Sequence, residues 1–398
     1  MSWSFELSFF IFLIIVFASQ ALAVRLHSLV PMPLIMGIFC IIGFALNIIP
    51  KDFVVNSNMT AVGTIAFNVF VIHNATMIDI SFLKEHSTDA IACILGSLIL
   101  TCILALCTKG ILGQKLSLLS PGPVLGSGAS CAIASYSVKS THPELSVYPW
   151  MIFMFQGLFS VPVVTWALKR EAKIILNNYN DSEDETCALN PIENNKRSNL
   201  LHINGLCKKV PSAYKTPAYY LGTIMIANIF SKYLYTEFLT PYKLNTNVIA
   251  LCIGFIFAQL GFLDKAPLNK SDSFGLLLMG LMGLMANTLA NTPLDSILSL
   301  FGPIIFVFSV STLVLILCGI AAGRLFGYSS YRGIALMANC MMGFPVNEML
   351  LQNVAKLAES DSEKEYLAEQ IFPILNTGTM LIVNTISILI VSIMVNFI

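Results

Sequence analysis

The chain has 398 residues, of which 56% are hydrophobic and 11% charged, and its 22 basic and 22 acidic residues leave no net charge. A soluble domain carries about a quarter charged residues, so the composition favours a membrane-integral protein with apolar runs long enough to span a bilayer. Neutral net charge without a basic tract argues against nucleic acid as a partner.

Five long apolar segments precede the one long polar stretch of the chain. The first could be mistaken for a signal peptide, but Glu6 precedes its core and no Lys or Arg does. A signal peptide needs a positive region there, so we predict a retained span. The five expected spans lie at about 5–24, 31–49, 60–80, 91–106 and 147–168.

The third of these segments ends in polar side chains. His73 is the one histidine in a predicted span and could titrate near neutrality, although a lone histidine near a helix end more often makes a structural hydrogen bond. Asp79, and Asp295 in the second half, are expected at the membrane boundary and are weaker site candidates.

A semi-polar segment, the first hairpin (about 116–138), lies between the fourth and fifth spans. It contains Gly126, Ser127, Gly128 and Ser130 where a lipid-facing helix would carry leucine. Such a sequence is typical of a re-entrant hairpin, because broken backbone at membrane depth survives only where protein or water satisfies it. Freed amides and the two hydroxyls could hold an anion at a helix start, or the small residues could simply form a close packing face.

The polar stretch at 169–217 is predicted to be a cytoplasmic linker. It carries eight Lys and Arg residues, and cytoplasmic loops are enriched in these residues. With five spans on each side, both termini lie outside, and sixteen of the 22 basic residues then fall on the cytoplasmic side. Five further spans are expected at about 219–235, 248–263, 274–289, 304–322 and 371–395.

A second semi-polar segment, the second hairpin (about 331–354), again lies between a fourth and a fifth span. Gly343 and Pro345 predict a break, with Asn339 and Asn347 on either side as candidate ligands. Glu348 could bind sodium or carry a proton, because a carboxylate at membrane depth is costly and is a functional hypothesis by default. Alternatively it lies in the wet cytoplasmic rim.

The last predicted span opens with a polar cluster. Asn376, Thr377 and Thr379 offer amide and hydroxyl oxygens, which are hard ligands suited to a small cation, and Asn384 follows two turns later. Hydrogen bonding between packed helices is the competing interpretation. The ten cysteines contain no C-x-x-C or zinc spacing, so neither a transition-metal site nor a cofactor is predicted.

The two halves, 1–168 and 218–398, therefore match in outline with opposite orientation. Each has three spans, a fourth, a semi-polar hairpin and a last span. Inverted-topology repeats with interrupted helices at matching positions are the best sequence indication of a secondary transporter and of its site. The predicted fold class is an all-α polytopic membrane protein of about ten transmembrane helices in two inverted five-helix repeats.

This pattern resembles the bacterial sodium/glutamate symporter family, whose broader fold is shared with the sodium-dependent 2-hydroxycarboxylate carriers. The resemblance is best at the third-span end with Asn74, at Gly126-Ser127-Gly128-Ala129, and from Asn339 to the Val383-Asn384 pair. It implies sodium-coupled symport of glutamate or a related small carboxylate across a bacterial inner membrane. It also implies a homodimer, with Asn74 and the hairpin tips at the substrate site.

Other functions remain open on the sequence alone. A bile-acid/sodium-type carrier or a cation/proton antiporter could share this layout, and an antiporter would need a buried acid, for which Glu348 is the one candidate. A membrane-embedded enzyme would need a nucleophile with a base at membrane depth, and His73 has no such partner by motif. A passive channel is also compatible with the pattern.

Overall fold

The computed structural model describes residues 3–26, 30–185, 210–240, 245–342 and 346–398. Within these ranges the regular elements are all helices and no strand occurs. The described part of the first half contains ten α-helices, numbered in chain order: α1 Phe5–Arg25, α2 Met32–Ala45, α3 Phe53–Asn56, α4 Met59–Thr76, α5 Ile80–Glu85, α6 Ser87–Cys102, α7 Lys109–Leu119, α8 Pro121–Val124, α9 Gly128–Lys139 and α10 Tyr148–Glu185.

The described part of the second half contains ten more helices. They are α11 Pro217–Leu234, α12 Thr246–Gln259, α13 Pro267–Lys270, α14 Phe274–Ala290, α15 Leu294–Ser299, α16 Phe301–Phe326, α17 Ser330–Asn339, α18 Val346–Ala355, α19 Asp361–Gly378 and α20 Ser387–Met394. Three π-helical segments extend helices, at Ile103–Cys107 after α6, Tyr235–Leu239 after α11, and Thr379–Ile386 between α19 and α20.

The apolar segments predicted from the sequence all coincide with helices. Six helical stretches among the described residues are long and apolar enough to cross a membrane, and α2, α12 and α14 are shorter apolar helices. This is consistent with an all-α membrane protein. The six long stretches are Phe5–Arg25, Met59–Thr76, Ser87–Cys107, Pro143–Tyr179, Leu294–Phe326 and Asp361–Phe397.

Side-chain caps define where several helices begin. Ser4, Thr216 and Ser329 immediately precede α1, α11 and α17, and each accepts a hydrogen bond from an amide of the first turn. Ser360 and Glu363 form a reciprocal capping box at the start of α19. These caps satisfy amides that lack a partner within the helix.

The helix α10 is longer than the predicted fifth span. It continues past residue 168 to Glu185, so the first part of the predicted linker 169–217 is helical. Its internal Pro162 does not end the helix, and residues 163–185 contain neither glycine nor proline to stop it. The basic residues of 186–209 lie outside the described residues.

A close helix crossing in the core joins α4 to α14, the third predicted spans of the two halves. A Cβ on Gly280 would lie 2.7 Å from the Gly63 amide nitrogen, and one on Gly63 would lie 2.3 Å from the Gly280 carbonyl oxygen. Small residues let helix backbones approach this closely without hydrophobic side chains between them. This reciprocal contact fixes the halves against each other.

Both predicted hairpin segments contain a helix, a break and a second helix. In the first, Leu125, Gly126 and Ser127 separate α8 from α9, and in the second the break follows α17 at Cys340. Each hairpin also packs on the last helix of the other half, since α10 contacts α17 and α18 while α20 contacts α8 and α9.

Replacing Gly280 with Val tests the α4–α14 crossing. The side chain would meet the backbone of α4, and overpacking of this kind costs about 1–3 kcal/mol. We expect a lower thermal unfolding midpoint of the purified protein in detergent. Gly275→Val on the same helix is the control, because no atom lies within 4 Å of a Cβ there. Equal midpoints for the two variants would contradict the described packing.

Candidate functional site

The second hairpin meets α19 at a buried polar cluster, here called the asparagine cluster: Asn339, Asn347, Thr379 and the Leu375 carbonyl. Asn347 Nδ2 donates to the Thr379 hydroxyl oxygen at 2.6 Å and to the Leu375 carbonyl at 2.8 Å. Asn339 Nδ2 donates to the same carbonyl at 2.5 Å. The last residue of α17 and the second residue of α18 are thereby held at one point of α19.

A change of helix type makes the Leu375 carbonyl available to these side chains. The amide of Thr379 donates to the Asn376 carbonyl, three residues back, and the π-helical segment begins at Thr379. Short π segments often occur at functional sites. Thr379 Oγ1 itself donates to the Leu375 carbonyl at 3.1 Å. The carbonyl therefore accepts from three side chains at the point where the α-helical pattern stops.

The hairpin tip lies directly against this point of α19. A Cβ on Gly378 would be 3.3 Å from the Cys340 sulfur and 3.5 Å from Asn339 Nδ2. Cys340 and Met341, the first residues after α17, are fully buried. The small residue at 378 thus allows the broken end of α17 to contact the helix.

Two oxygens of the asparagine cluster have no protein donor among the described residues. Asn339 and Asn347 are 0% and 8% exposed, and the Oδ1 atom of each is buried without a hydrogen bond to any described residue. A buried polar atom without a partner costs roughly 1–3 kcal/mol. Amide oxygens beside hydroxyl and carbonyl oxygens form the ligand chemistry of a hard cation, and no residue on the described cluster brings a negative charge.

The other predicted ion-coupling residues do not all join this cluster. Asn376 Nδ2 donates to the Phe372 carbonyl of its own helix at 3.0 Å. Thr377 is fully buried with no partner for its hydroxyl among the described residues, but at 100° per residue it lies roughly on the opposite face of the helix from Thr379. Asn384 is half-buried in the π-helical segment.

Two predicted residues of the second hairpin, Gly343 and Glu348, lie wholly or partly outside the described part of the chain. Gly343 lies outside the described residues, together with Phe344 and Pro345. Glu348 lies in the first turn of α18, directly after Asn347, and its side chain is outside the described part of the chain. Its predicted role in binding sodium or a proton remains a prediction.

The tip of the first hairpin brings Gly126, Ser127, Gly128 and Ser130 together locally. Ser127 precedes α9 with extended backbone and its hydroxyl makes no capping bond, and Ser127 Oγ is buried without a partner among the described residues. Ser130 Oγ donates back to the Ser127 carbonyl at 2.8 Å. A Cβ on Gly126 would lie 2.6 Å from the Gly122 carbonyl oxygen, a backbone atom that cannot rotate away, so the small residue is favoured there.

The start of α9 consequently has free hydrogen-bonding capacity beside an unused hydroxyl. First-turn amides without a cap, together with the helix dipole, favour an anionic group. No hydrogen bond among the described residues joins this tip to the asparagine cluster. The two hairpins therefore offer two chemically different ends, one suited to an anion and one to a cation.

His73 and Asn74 at the end of α4 are both buried, and the role of Asn74 at the substrate site stays a prediction. His73 is 2% exposed and its Nδ1 accepts from the Leu268 amide at 3.4 Å, which is the structural role weighed from the sequence. Asn74 is buried at the end of the same helix. Asp295 is exposed at the start of α15.

Asp79 caps the short helix α5 and pairs with Lys265 at 2.7 Å. Partial burial raises the pKa of the Asp79 carboxyl. The bond and positive charge of Lys265, together with the bonds from the Phe82 and Ser81 amides, lower it by more, so the pKa lies below its usual value. The carboxylate is thus held charged in a structural ion pair.

Sequence reasoning named Glu348 as the one candidate buried acid, and the structure corrects this. Asp89 is fully buried, and Arg332 Nη2 donates to its Oδ2 at 2.8 Å. Glu171 is 6% exposed and accepts a hydrogen bond from the Ser329 hydroxyl. Asp89 and Glu171 were missed because they lie at the ends of predicted spans, where an acid normally faces water.

A cleft of about 710 Å³ opens beside the start of α17 near Arg332, here called the root of the second hairpin. Its wall includes Arg332, Glu369, Phe372 and Pro373. The last two residues are within one helical turn of Leu375 along α19. The cleft therefore lies along the same helix as the asparagine cluster, about one turn before Leu375.

Comparison with known proteins adds no assignment. No protein-family model matches the chain, and no curated protein matches it.

Replacing Thr379 with Val tests whether the asparagine cluster holds the hairpin in place. Valine keeps the shape but removes the acceptor of the 2.6 Å bond from Asn347, so we expect the free energy of unfolding to fall by about 1–3 kcal/mol. Thr288→Val is the control, because Thr288 Oγ1 bonds only the Leu284 carbonyl of its own helix. Equal losses in denaturant unfolding of the two variants would exclude a tertiary role for Thr379.

Proposed function

We propose that the protein is a secondary active transporter that couples sodium entry to symport of glutamate or a related small carboxylate across a bacterial inner membrane. About ten transmembrane helices, in two inverted repeats of five with a re-entrant hairpin each, form the transporter. Residues 169–217 are the cytoplasmic linker, both termini lie outside, and two copies form a homodimer. The linker's location, the placement of the termini and the homodimer rest on the sequence pattern and the family resemblance.

The observation that carries this proposal is the asparagine cluster. An interrupted hairpin, a helix that changes to π geometry, and two buried amide oxygens without donors among the described residues meet at one point. In secondary transporters, coupling ions bind where discontinuous helices meet near the membrane midplane, on carbonyl and side-chain oxygens. Asn339, Asn347 and the groups around Thr379 are the residues that would hold sodium.

The contacts between the halves support an inverted repeat. The third spans cross reciprocally at Gly63 and Gly280, and the last helix of each half packs on the hairpin of the other. The helices α4 and α14 also pack on the second helix of the opposite half, α12 and α2 respectively. Such exchanged pairs are expected if a pseudo-two-fold axis relates residues 1–168 to residues 218–398.

The first hairpin supplies the group suited to a carboxylate. Ser127 Oγ and the uncapped amides at the start of α9 can donate to an anion, as discontinuous helix starts do in transporters. Sodium at one tip and a carboxylate at the other would each favour the same arrangement of the hairpins. Reciprocal stabilisation of this kind is what coupling requires.

Proton coupling is the second candidate, favoured by two buried acids. Asp89 and Glu171 are nearly inaccessible and lie at the root of the second hairpin. A cation/proton antiporter needs such a group. However, Asp89 already has Arg332 as a counter-ion, and the asparagine cluster itself contains no described acid, so sodium symport remains the first proposal.

The test is transport by the purified protein in liposomes, with labelled glutamate and a panel of other small carboxylates. We expect one substrate to accumulate under an inward sodium gradient and to equilibrate without accumulation when choline replaces sodium. Accumulation under a pH gradient alone would favour the second candidate. Absence of accumulation for every carboxylate under both gradients would contradict the proposal.

Single alanine variants separate the two tips. Asn347→Ala removes a proposed sodium ligand and should raise the sodium concentration for half-maximal uptake at least about tenfold. Asn291→Ala is its control, because Asn291 is exposed and its amide bonds only Asn287. An unchanged sodium dependence in Asn347→Ala would remove the second hairpin from the ion site.

For the first tip, Ser127→Ala should raise the KM for the carboxylate roughly 10- to 100-fold, the loss of one hydrogen bond to a charged group. Its sodium dependence at saturating substrate should change little. Ser309→Ala is the matched control, because Ser309 is exposed and bonds the Ile305 carbonyl of its own helix. A wild-type KM in Ser127→Ala would place the carboxylate elsewhere.

A further inference from the structure

A buried ion pair lies at the root of the second hairpin, far along α17 from its tip. Asp89, in the first turn of α6, is fully buried, and Arg332, in the first turn of α17, is 26% exposed. The Arg332 guanidinium also stacks over the Tyr328 ring at 5.3 Å. A buried carboxylate without a counter-ion is costly, so the bond from Arg332 to Asp89 favours one relative placement of α6 and α17.

The geometry of α17 transmits this placement to the site. Arg332 and Asn339 are seven residues apart, which on an α-helix is about 10.5 Å along the axis with only about 20° of rotation. Both therefore lie on the same face of α17. A rotation that moved Asn339 away from Leu375 would also pull Arg332 away from Asp89.

The neighbouring helices leave little freedom for other movements. Between the ion pair and the tip, the Met337 sulfur lies 2.5 Å from where a Cβ of Gly96 would be, so α17 packs directly on α6. On another side, a Cβ on Gly333 would lie 2.1 Å from the Gly319 carbonyl oxygen, so α16 and α17 touch through their backbones. These contacts and the ion pair together favour one rotation of α17 about its axis.

A second bond ties the same helix end to α10. Ser329 caps α17 by accepting from the Arg332 amide at 3.0 Å, and its hydroxyl donates to Glu171 of α10. Glu171 thus holds the Ser329 cap of α17, and Asp89 holds Arg332 in the first turn of the same helix. Asp89 belongs to the first half and Glu171 to the part of α10 that continues beyond it, whereas the hairpin that they hold belongs to the second half.

We propose that Asp89 and Glu171 are positioning residues of the cation site: through Arg332 and Ser329 they hold α17 at the rotation that places Asn339 in the asparagine cluster. This inference rests on the proposed sodium coupling. The site is then completed by residues of both halves, and neither acid contacts the ion. Asp89 and Glu171 act as outer partners that orient a ligand.

The test uses the full-length protein with Arg332→Met, which keeps length but cannot pair with Asp89. Coupling carried to a site through packed helices is typically worth about 2- to 30-fold in affinity, so we expect the sodium concentration for half-maximal uptake to rise by that factor. The sodium concentration that raises the melting temperature of the detergent-purified protein should rise in parallel. Choline chloride keeps the ionic strength constant in both measurements.

Two variants provide the controls. Arg332→Lys retains the charge, and because the native contact is a single N–H···O bond, we expect it to keep a sodium dependence near that of the wild type. Lys265→Met breaks the partly exposed pair with Asp79 and should leave sodium dependence unchanged. If Arg332→Met does not fold, the double variant Asp89→Asn/Arg332→Met removes both buried charges and takes its place in the test.

The outcomes separate this inference from the proposed function. A wild-type protein whose uptake and melting temperature both ignore sodium would overturn the proposed function and the inference together. The inference alone would be overturned if the wild type depends on sodium but Arg332→Met, or its double variant, keeps the wild-type sodium dependence. Such a variant would lower only the maximal rate or the melting temperature. The ion pair would then hold the fold without setting the site.

Discussion

The structure depends on how a helix can be interrupted inside an apolar protein. Each interruption leaves backbone groups that water cannot reach, and such groups are costly unless they find partners. One such interruption lies where the second hairpin meets α19, which changes to π geometry at Thr379 and frees the Leu375 carbonyl. Two asparagine amides close the break by donating to it.

The same arrangement leaves the two asparagine amide oxygens without a donor among the described residues. An asparagine that donates through its nitrogen to a carbonyl must direct its oxygen elsewhere, and for Asn339 and Asn347 no described donor meets it. A buried network that is only partly satisfied is less stable than an apolar core of the same shape. That cost is understandable if the oxygens serve a ligand, and it is the physical reason for the proposed cation site.

The hairpin is held by charges at its root and by neutral groups at its tip. At the root, Asp89 with Arg332 and Glu171 with Ser329 are anchored to helices of the first half. At the tip, neutral amides and a hydroxyl meet a carbonyl, so binding and release of the proposed cation would break no ion pair there. Glycines at the α16–α17 and α4–α14 contacts give the backbone proximity that this arrangement needs.

The sequence by itself determined the helices, because apolar runs of bilayer length have few other conformations open to them. Gly126-Ser127 and the stretch after Asn339 also indicated breaks, since small and polar residues are poor choices for a lipid-facing helix. Asn339, Asn347 and Thr379 were selected on residue type alone.

Only the tertiary structure decided that these three meet, that Asn376 bonds its own helix, and that Thr377 faces away. Asp89, Glu171 and Arg332 could not be found from the sequence, because an acid at a span end resembles a solvated one. Their burial depends on which helices pack around them, and residues 89 and 332 are brought together only by the fold.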